Sequence, residues 1–217
     1  MRKLPAVSVD MDGRGSDIML ILAVCGSPNK QGNTAYMLNL ALEEAKRLGA
    51  DVKMIDASEA LGTCDTPFCT SCSKPCRGIC LEGNAMADAA DLLRKADGVI
   101  FGTPVYFGTM SAQMKAFFDK IRCLRGENAL LNTVGGALAV GHTQYGGEEA
   151  AMAAIKDAMM VYGMTVVGNG HADFNSGHLG VALTDPARDN KDAQEKMIAM
   201  TRRIVEVAKA TAPLRKR

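Results

Sequence analysis

Short apolar runs alternate with longer helical patterns along most of the 217 residues, and this rhythm limits the fold more than any other feature. The run 17–24, DIMLILAV, is continuously apolar after its first residue, as a strand covered on both faces requires. Over 34–49 a helix is expected, because Tyr36, Leu38, Ala41, Leu42, Ala45 and Leu48 recur at helical spacing and Gly49 offers a stop. The stretch 51–56, DVKMID, reads as a second strand, and 97–104, 133–141 and 164–170 as a third, fourth and fifth. Between them, 84–96, 111–124 and 147–163 read as helices, with Ser111 placed to cap the second. The segment 171–190 reads as irregular, and 191–210 closes the chain as an amphipathic helix.

Strand–helix alternation demands a mostly parallel sheet with helices on both faces, since right-handed crossovers need helices. The expected fold is therefore α/β, a flavodoxin-like three-layer sandwich with a five-stranded parallel sheet in the order 2-1-3-4-5. Ligands of such sheets bind beyond the carboxyl ends of the strands. Residues 1–17 read as a polar leader, and 18–217 as one domain with a cysteine-rich insert at 64–80. The first residues carry charges and glycines without an apolar core, unlike a secretory signal, so a cytoplasmic protein with reduced cysteines is expected. A net charge of +1, with both signs scattered, gives no electrostatic case for nucleic acid or an anionic membrane.

A fold does not specify chemistry, so function has to be read from the loops at the strand ends. The first loop, GSPNKQGNT (26–34), has neither the phosphate-loop pattern of a nucleotide triphosphatase nor a dinucleotide fingerprint. It offers Ser27, Asn29, Asn33 and Thr34, with Gly26 and Gly32 for tight turns, ahead of a helix N-terminus. Small polar groups in that position suit one phosphate monoester, and an ordinary turn capped by Asn33 or Thr34 is the alternative. The second loop, TPVYFGTMS (103–111), sets Pro104, Tyr106 and Phe107 where a core would not need them. Such rings suit the face of a planar heteroaromatic group, or else cover the sheet end or a subunit contact. The third, GHTQYGGEE (141–149), brings His142, Gln144 and Tyr145 beside paired glycines, although His142 read alone is an ordinary surface histidine. One loop fit for phosphate and two for an aromatic ring together describe FMN.

The segment CDTPFCTSCSKPCRGIC holds Cys64, Cys69, Cys72, Cys76 and Cys80. Within it, Cys69, Cys72, Cys76 and Cys80 are spaced so that four thiolates in one short loop can wrap a [4Fe–4S] cluster. Zinc more often draws its ligands from two separated pairs. Free or redox-active thiols and another metal remain open readings, as does Cys64 as a substitute ligand. Cys25 and Cys123 read as small apolar fillers.

The motifs CGSPNKQGNT, GVIFGTPVYFGTMSAQMKAFFDK and YGGEEAAMAAIKDAMMVYGMTVVGNG resemble the NADPH-dependent FMN reductase superfamily. Within it the resemblance is to the iron–sulfur flavoproteins and the multimeric flavodoxin-type quinone reductases, and it runs from about Ile18 to the last helix. The resemblance implies that Ser27, Asn29, Gly32, Asn33 and Thr34 hold the FMN phosphate. It implies that Pro104, Val105, Tyr106, Phe107 and Gly108 line the isoalloxazine, with His142, Tyr145, Gly146 and Gly147 on its third side. It also implies an oxidoreductase using NAD(P)H or reduced ferredoxin and a quinone or other small acceptor, assembled as a homodimer or homotetramer. No side chain is nominated as a catalytic acid, base or nucleophile, because the cofactor carries the chemistry. A cluster-free NAD(P)H:quinone or FMN reductase and a flavodoxin-like carrier stand as alternatives. The family's four-cysteine motif usually has a shorter middle interval and a longer last one, and Gly83 and Asn84 replace its acidic pair.

Overall fold

The computed structural model describes residues 18–215, so the polar leader assigned to 1–17 lies outside the described residues. One sheet collects β1 (Leu20–Cys25), β2 (Asp51–Asp56), β3 (Gly98–Tyr106), β4 (Thr109–Met110), β5 (Val134–Gly141), β6 (Thr165–Val166) and β7 (Val181–Thr184). Its order is β2-β1-β3-β5-β6, with every pair along that path parallel. The helices are α1 (Asn33–Arg47), α2 (Ala57–Gly62), α3 (Ala85–Lys95), α4 (Ala112–Lys120), α5 (Arg122–Gly126), α6 (Glu148–Val161) and α7 (Lys191–Ala210). This is the α/β flavodoxin-like architecture expected from the alternation.

Successive strand residues point to opposite faces, and the core divides accordingly. Leu22, Val24, Val99, Phe101, Ala137 and Ala139 pack under α3, α4 and α6, whereas Ile21, Ala23, Ile100, Val134 and Leu138 pack under α1 and α7. On the second face an ion triad fastens α1 to α7. The Glu44 carboxylate, largely buried, accepts from Arg47 Nε and Nη2 at 2.7 Å and from Arg202 Nε at 2.6 Å. Those bonds, Arg47 foremost, bring its pKa down to about 2.

Four local features differ from the sequence reading. The fifth sheet position is filled by two short strands: β6 pairs with the start of β5 (Val134↔Thr165) and β7 with its end (Leu138↔Val181). The intervening excursion carries glycines and polar residues that end one strand. The chain then returns with Val181 and Leu183 buried and Ala182 exposed. Four residues between turn formers are too few to announce a strand, which is why 181–184 fell inside a segment read as irregular. The third strand runs on to Tyr106 because it folds back as a hairpin, Val105 facing Met110 in β4. The helix expected over 111–124 breaks at Ile121 into α4 and α5, and α2 adds a short helix capped by Asp56, which accepts from Glu59 N at 2.8 Å. Among the described residues no helix is long and apolar enough to cross a membrane.

Candidate functional site

The carboxyl ends of β1, β3 and β5 stand side by side, so the three loops singled out by the sequence meet on one rim of the sheet. In the first loop Ser27, buried, accepts from Asn29 N at 3.2 Å, and Asn29 Oδ1 accepts from Gln31 N at 3.0 Å. These two side chains therefore shape the loop as well as line it. Helix α1 then starts at Gly32 with no side-chain cap, unlike α2, α3, α4 and α7, whose caps are Asp56, Asn84, Ser111 and Asn190. Neither Asn33 nor Thr34 caps it. An N-terminus of this length left uncapped offers its N–H groups and dipole to an anion.

Ser111 couples the first loop to the second. Its Oγ donates to the Gly26 carbonyl at 2.7 Å and accepts from Met114 N at 3.1 Å, while its N–H donates to Thr103 Oγ1 at 2.9 Å. The sequence marked Ser111 only as a helix cap; its partner in the first loop has no local signature. Pro104, Val105 and Tyr106 lie within β3, and Phe107 and Gly108 form the two-residue turn into β4 with φ of +50° and +75°. Positive φ at both positions matches the twist of the hairpin and turns the Phe107 ring wholly into solvent, beside a half-exposed Tyr106.

The third loop reaches the second through backbone alone. A Cβ on Gly147 would stand 2.6 Å from Gly108 Cα and 2.9 Å from its carbonyl oxygen, so the two loops touch only because Gly147 lacks a side chain. Gly146 is equally confined, with Thr143 O at 2.8 Å from a Cβ placed there. Tyr145, at φ +62°, is 92% exposed. Glu148 is buried, and its Oε1 has no hydrogen-bond partner among the described residues. An uncapped anion-binding helix end, a side-chain-free seam between two loops, solvent-facing rings and an unpaired acceptor fit a flat, singly phosphorylated heteroaromatic cofactor. A cleft of about 510 Å³ opens on the outer side of the third loop, bounded by Gln144, Tyr145, Glu148 and by Leu183 and Thr184 of β7. It contains no residue of the first or second loop.

The segment 185–190, read from the sequence as irregular, closes the rim. Asp185 N donates to the Gly141 carbonyl at 3.0 Å, and its Oδ2 lies 3.0 Å from His142 Nδ1. That hydrogen bond raises the pKa of the exposed His142 above its ordinary 6.5. Two residues on, Ala187 N donates to Asn33 Oδ1 at 3.1 Å. His142 and Asn33, both expected to face the cofactor, thus each give one side-chain atom to this segment.

All seven cysteines are free thiols. Cys25 and Cys123 are buried fillers, as expected, with thiols pushed up by burial. Cys64, Cys76 and Cys80 pack against the core face that contains Cys123, whereas Cys72 is exposed and Cys69 Sγ accepts the Ser71 N–H at 3.4 Å. Among the described residues no group of three or more histidine, cysteine, aspartate or glutamate side chains is arranged to hold a metal ion. The quartet Cys69, Cys72, Cys76 and Cys80 does not, as arranged, fit a cluster.

Comparison with known proteins accords with the rim. The family model described as NADPH-dependent FMN reductase matches residues 19–178. An iron-sulfur flavoprotein of Methanosarcina thermophila is 33% identical over 191 residues, which span 87% of this chain and 95% of that one. An NAD(P)H dehydrogenase (quinone) of Methanosarcina barkeri is 30% identical over 121 residues, 52% of this chain and 58% of its own. In structure, a flavodoxin, WrbA-like protein from Agrobacterium tumefaciens superposes with a TM-score of 0.64 over 88% of this chain and 98% of its own, at 20% identity. The matched span carries all three loops of the rim, and the chain belongs to the NADPH-dependent FMN reductase family.

Proposed function

We propose that the protein is an FMN-dependent oxidoreductase that passes electrons from NAD(P)H or a reduced ferredoxin to a quinone or another small acceptor. The observation that carries this reading is the rim itself, where an uncapped helix start, a glycine seam and exposed aromatic rings stand together at the ends of adjacent strands. Ser27, Asn29, Gly32, Asn33 and Thr34 would hold the phosphate. Pro104, Val105, Tyr106, Phe107 and Gly108 would line one side of the ring, and His142, Tyr145, Gly146 and Gly147 the other. Bound there, FMN supplies hydride acceptance and the release of electrons one at a time. The chain's own work is positional. Ser111 keeps the first two loops in register, and the Gly108–Gly147 contact sets the gap between the second and third.

Three finer parts of the reading rest on other support. A [4Fe–4S] cluster on Cys69, Cys72, Cys76 and Cys80 is supported by their compact spacing and by the similarity to iron-sulfur flavoproteins, not by the arrangement of the thiols. A homodimer or homotetramer would cover the outward rings of Phe107 and Tyr145. A cytoplasmic setting is proposed from the first residues, which carry charges and glycines without an apolar core.

Anaerobic stopped-flow mixing of the flavin-loaded chain with NADPH, NADH and reduced ferredoxin tests the reading. Bleaching of the flavin band by a pyridine nucleotide is expected. Reduction by ferredoxin alone makes the protein a carrier between protein partners, and a colourless chain that refuses added FMN overturns the proposal.

A further inference from the structure

The geometry points to Arg188 as the cation that faces the phosphate group at the start of α1, a role that rests on the FMN reading above. Helix α1 leaves its first N–H groups open to an anion, yet the loop before it commits its own cation elsewhere: Lys30 is bound to Glu59 at 2.5 Å. The segment after β7 delivers another. Ala187, fully buried, donates its N–H to Asn33 Oδ1 at 3.1 Å, and Gln194 Nε2 of α7 donates to the carbonyls of Ala187 and Arg188, each at 2.9 Å. The backbone that carries Arg188 is therefore gripped from both helices. Its guanidinium carbon lies 4.4 Å from the centre of the Tyr36 ring. Tyr36 is one turn into α1, about 5 Å along the axis from Asn33.

A guanidinium stacked on an aromatic face keeps its N–H donors in the plane of the stack, directed at its edge. Among the described residues Arg188 makes no ion pair, while two carboxylates near it in sequence are engaged, Asp185 with His142 and Asp192 with Lys196. A planar guanidinium matches the oxygens of a phosphate dianion better than a mobile ammonium does. Tyr36 serves as the platform that keeps it beside the helix start.

Titrating FMN and riboflavin separately into the flavin-free full chain, followed by quenching of flavin fluorescence, tests this role. Arg188→Gln is expected to weaken FMN binding roughly tenfold while riboflavin binding stays unchanged, because only FMN carries the phosphate. Tyr36→Leu should weaken FMN in the same sense but less, and Arg188→Lys should keep part of the preference. If Arg188→Gln and Arg188→Lys both prefer FMN over riboflavin as strongly as the wild type does, the role is overturned. A wild-type chain that binds neither flavin instead overturns the FMN reading on which it rests.

Discussion

Gly147 adopts φ +109°, and any side chain there would meet the backbone of Gly108, which cannot step aside as a side-chain tip can. Gly108 also has positive φ but faces open space. Gly147→Ala is therefore expected to cost about 3 kcal/mol in urea unfolding and to weaken FMN binding, whereas Gly108→Ala should cost only about 1 kcal/mol of backbone strain. Equal losses in the two variants would mean that the loops do not rest on each other. At this scale the sequence announced which residue types crowd the rim, and it was less informative about their partners. The paired glycines are visible in the third loop, but nothing near them in the chain names Gly108. Ser111 is legible as a cap from its position before a helix, yet the carbonyl its hydroxyl reaches lies 85 residues away. His142 was legible as a rim residue, and only the fold turned it toward Asp185.

Helices α1 and α7 are held together by the Glu44 triad over their shared face of the sheet, and this contact makes stability depend on pH. The Glu44 pKa is lower in the folded chain, about 2, than its ordinary 4.5, so its contribution is fully present above 4.5 and is lost as pH falls toward about 2. With the arginines partly solvated, Glu44→Gln is expected to cost about 1 kcal/mol at neutral pH. Unfolding curves of the two proteins, measured by denaturant from neutral to acid pH, should converge as pH approaches that lower limit. A constant gap across the range would remove the ionised carboxylate as the cause. Long periodic elements such as α1 and α7 were legible because burial stamps a helical repeat on many residues at once. The division of the fifth strand into β6 and β7 was not, because each piece is stabilised by hydrogen bonds to β5 and not by its own pattern.

For the molecule as a whole, the cysteine segment is the part whose chemistry the fold leaves to measurement. If its quartet holds a [4Fe–4S] cluster, anaerobically purified and reconstituted protein should carry about four irons and four acid-labile sulfides per chain. Serine at Cys69, Cys72, Cys76 and Cys80 together should abolish both without releasing FMN. Fewer than about one iron per chain after reconstitution would make the segment a set of thiols and the protein a cluster-free reductase. What the sequence by itself determined is the parallel α/β scaffold and the three loops that carry phosphate-seeking and ring-facing residues. Apolar periodicity and loop chemistry are local properties, written in consecutive residues. Only the tertiary structure decided that Ser111 ties the first loop to the second, that the second and third meet glycine to glycine, and that 185–190 returns to close the rim. Each of these joins groups far apart in the chain, so they become neighbours only when burial of both sheet faces brings the strand ends and helix starts to one edge.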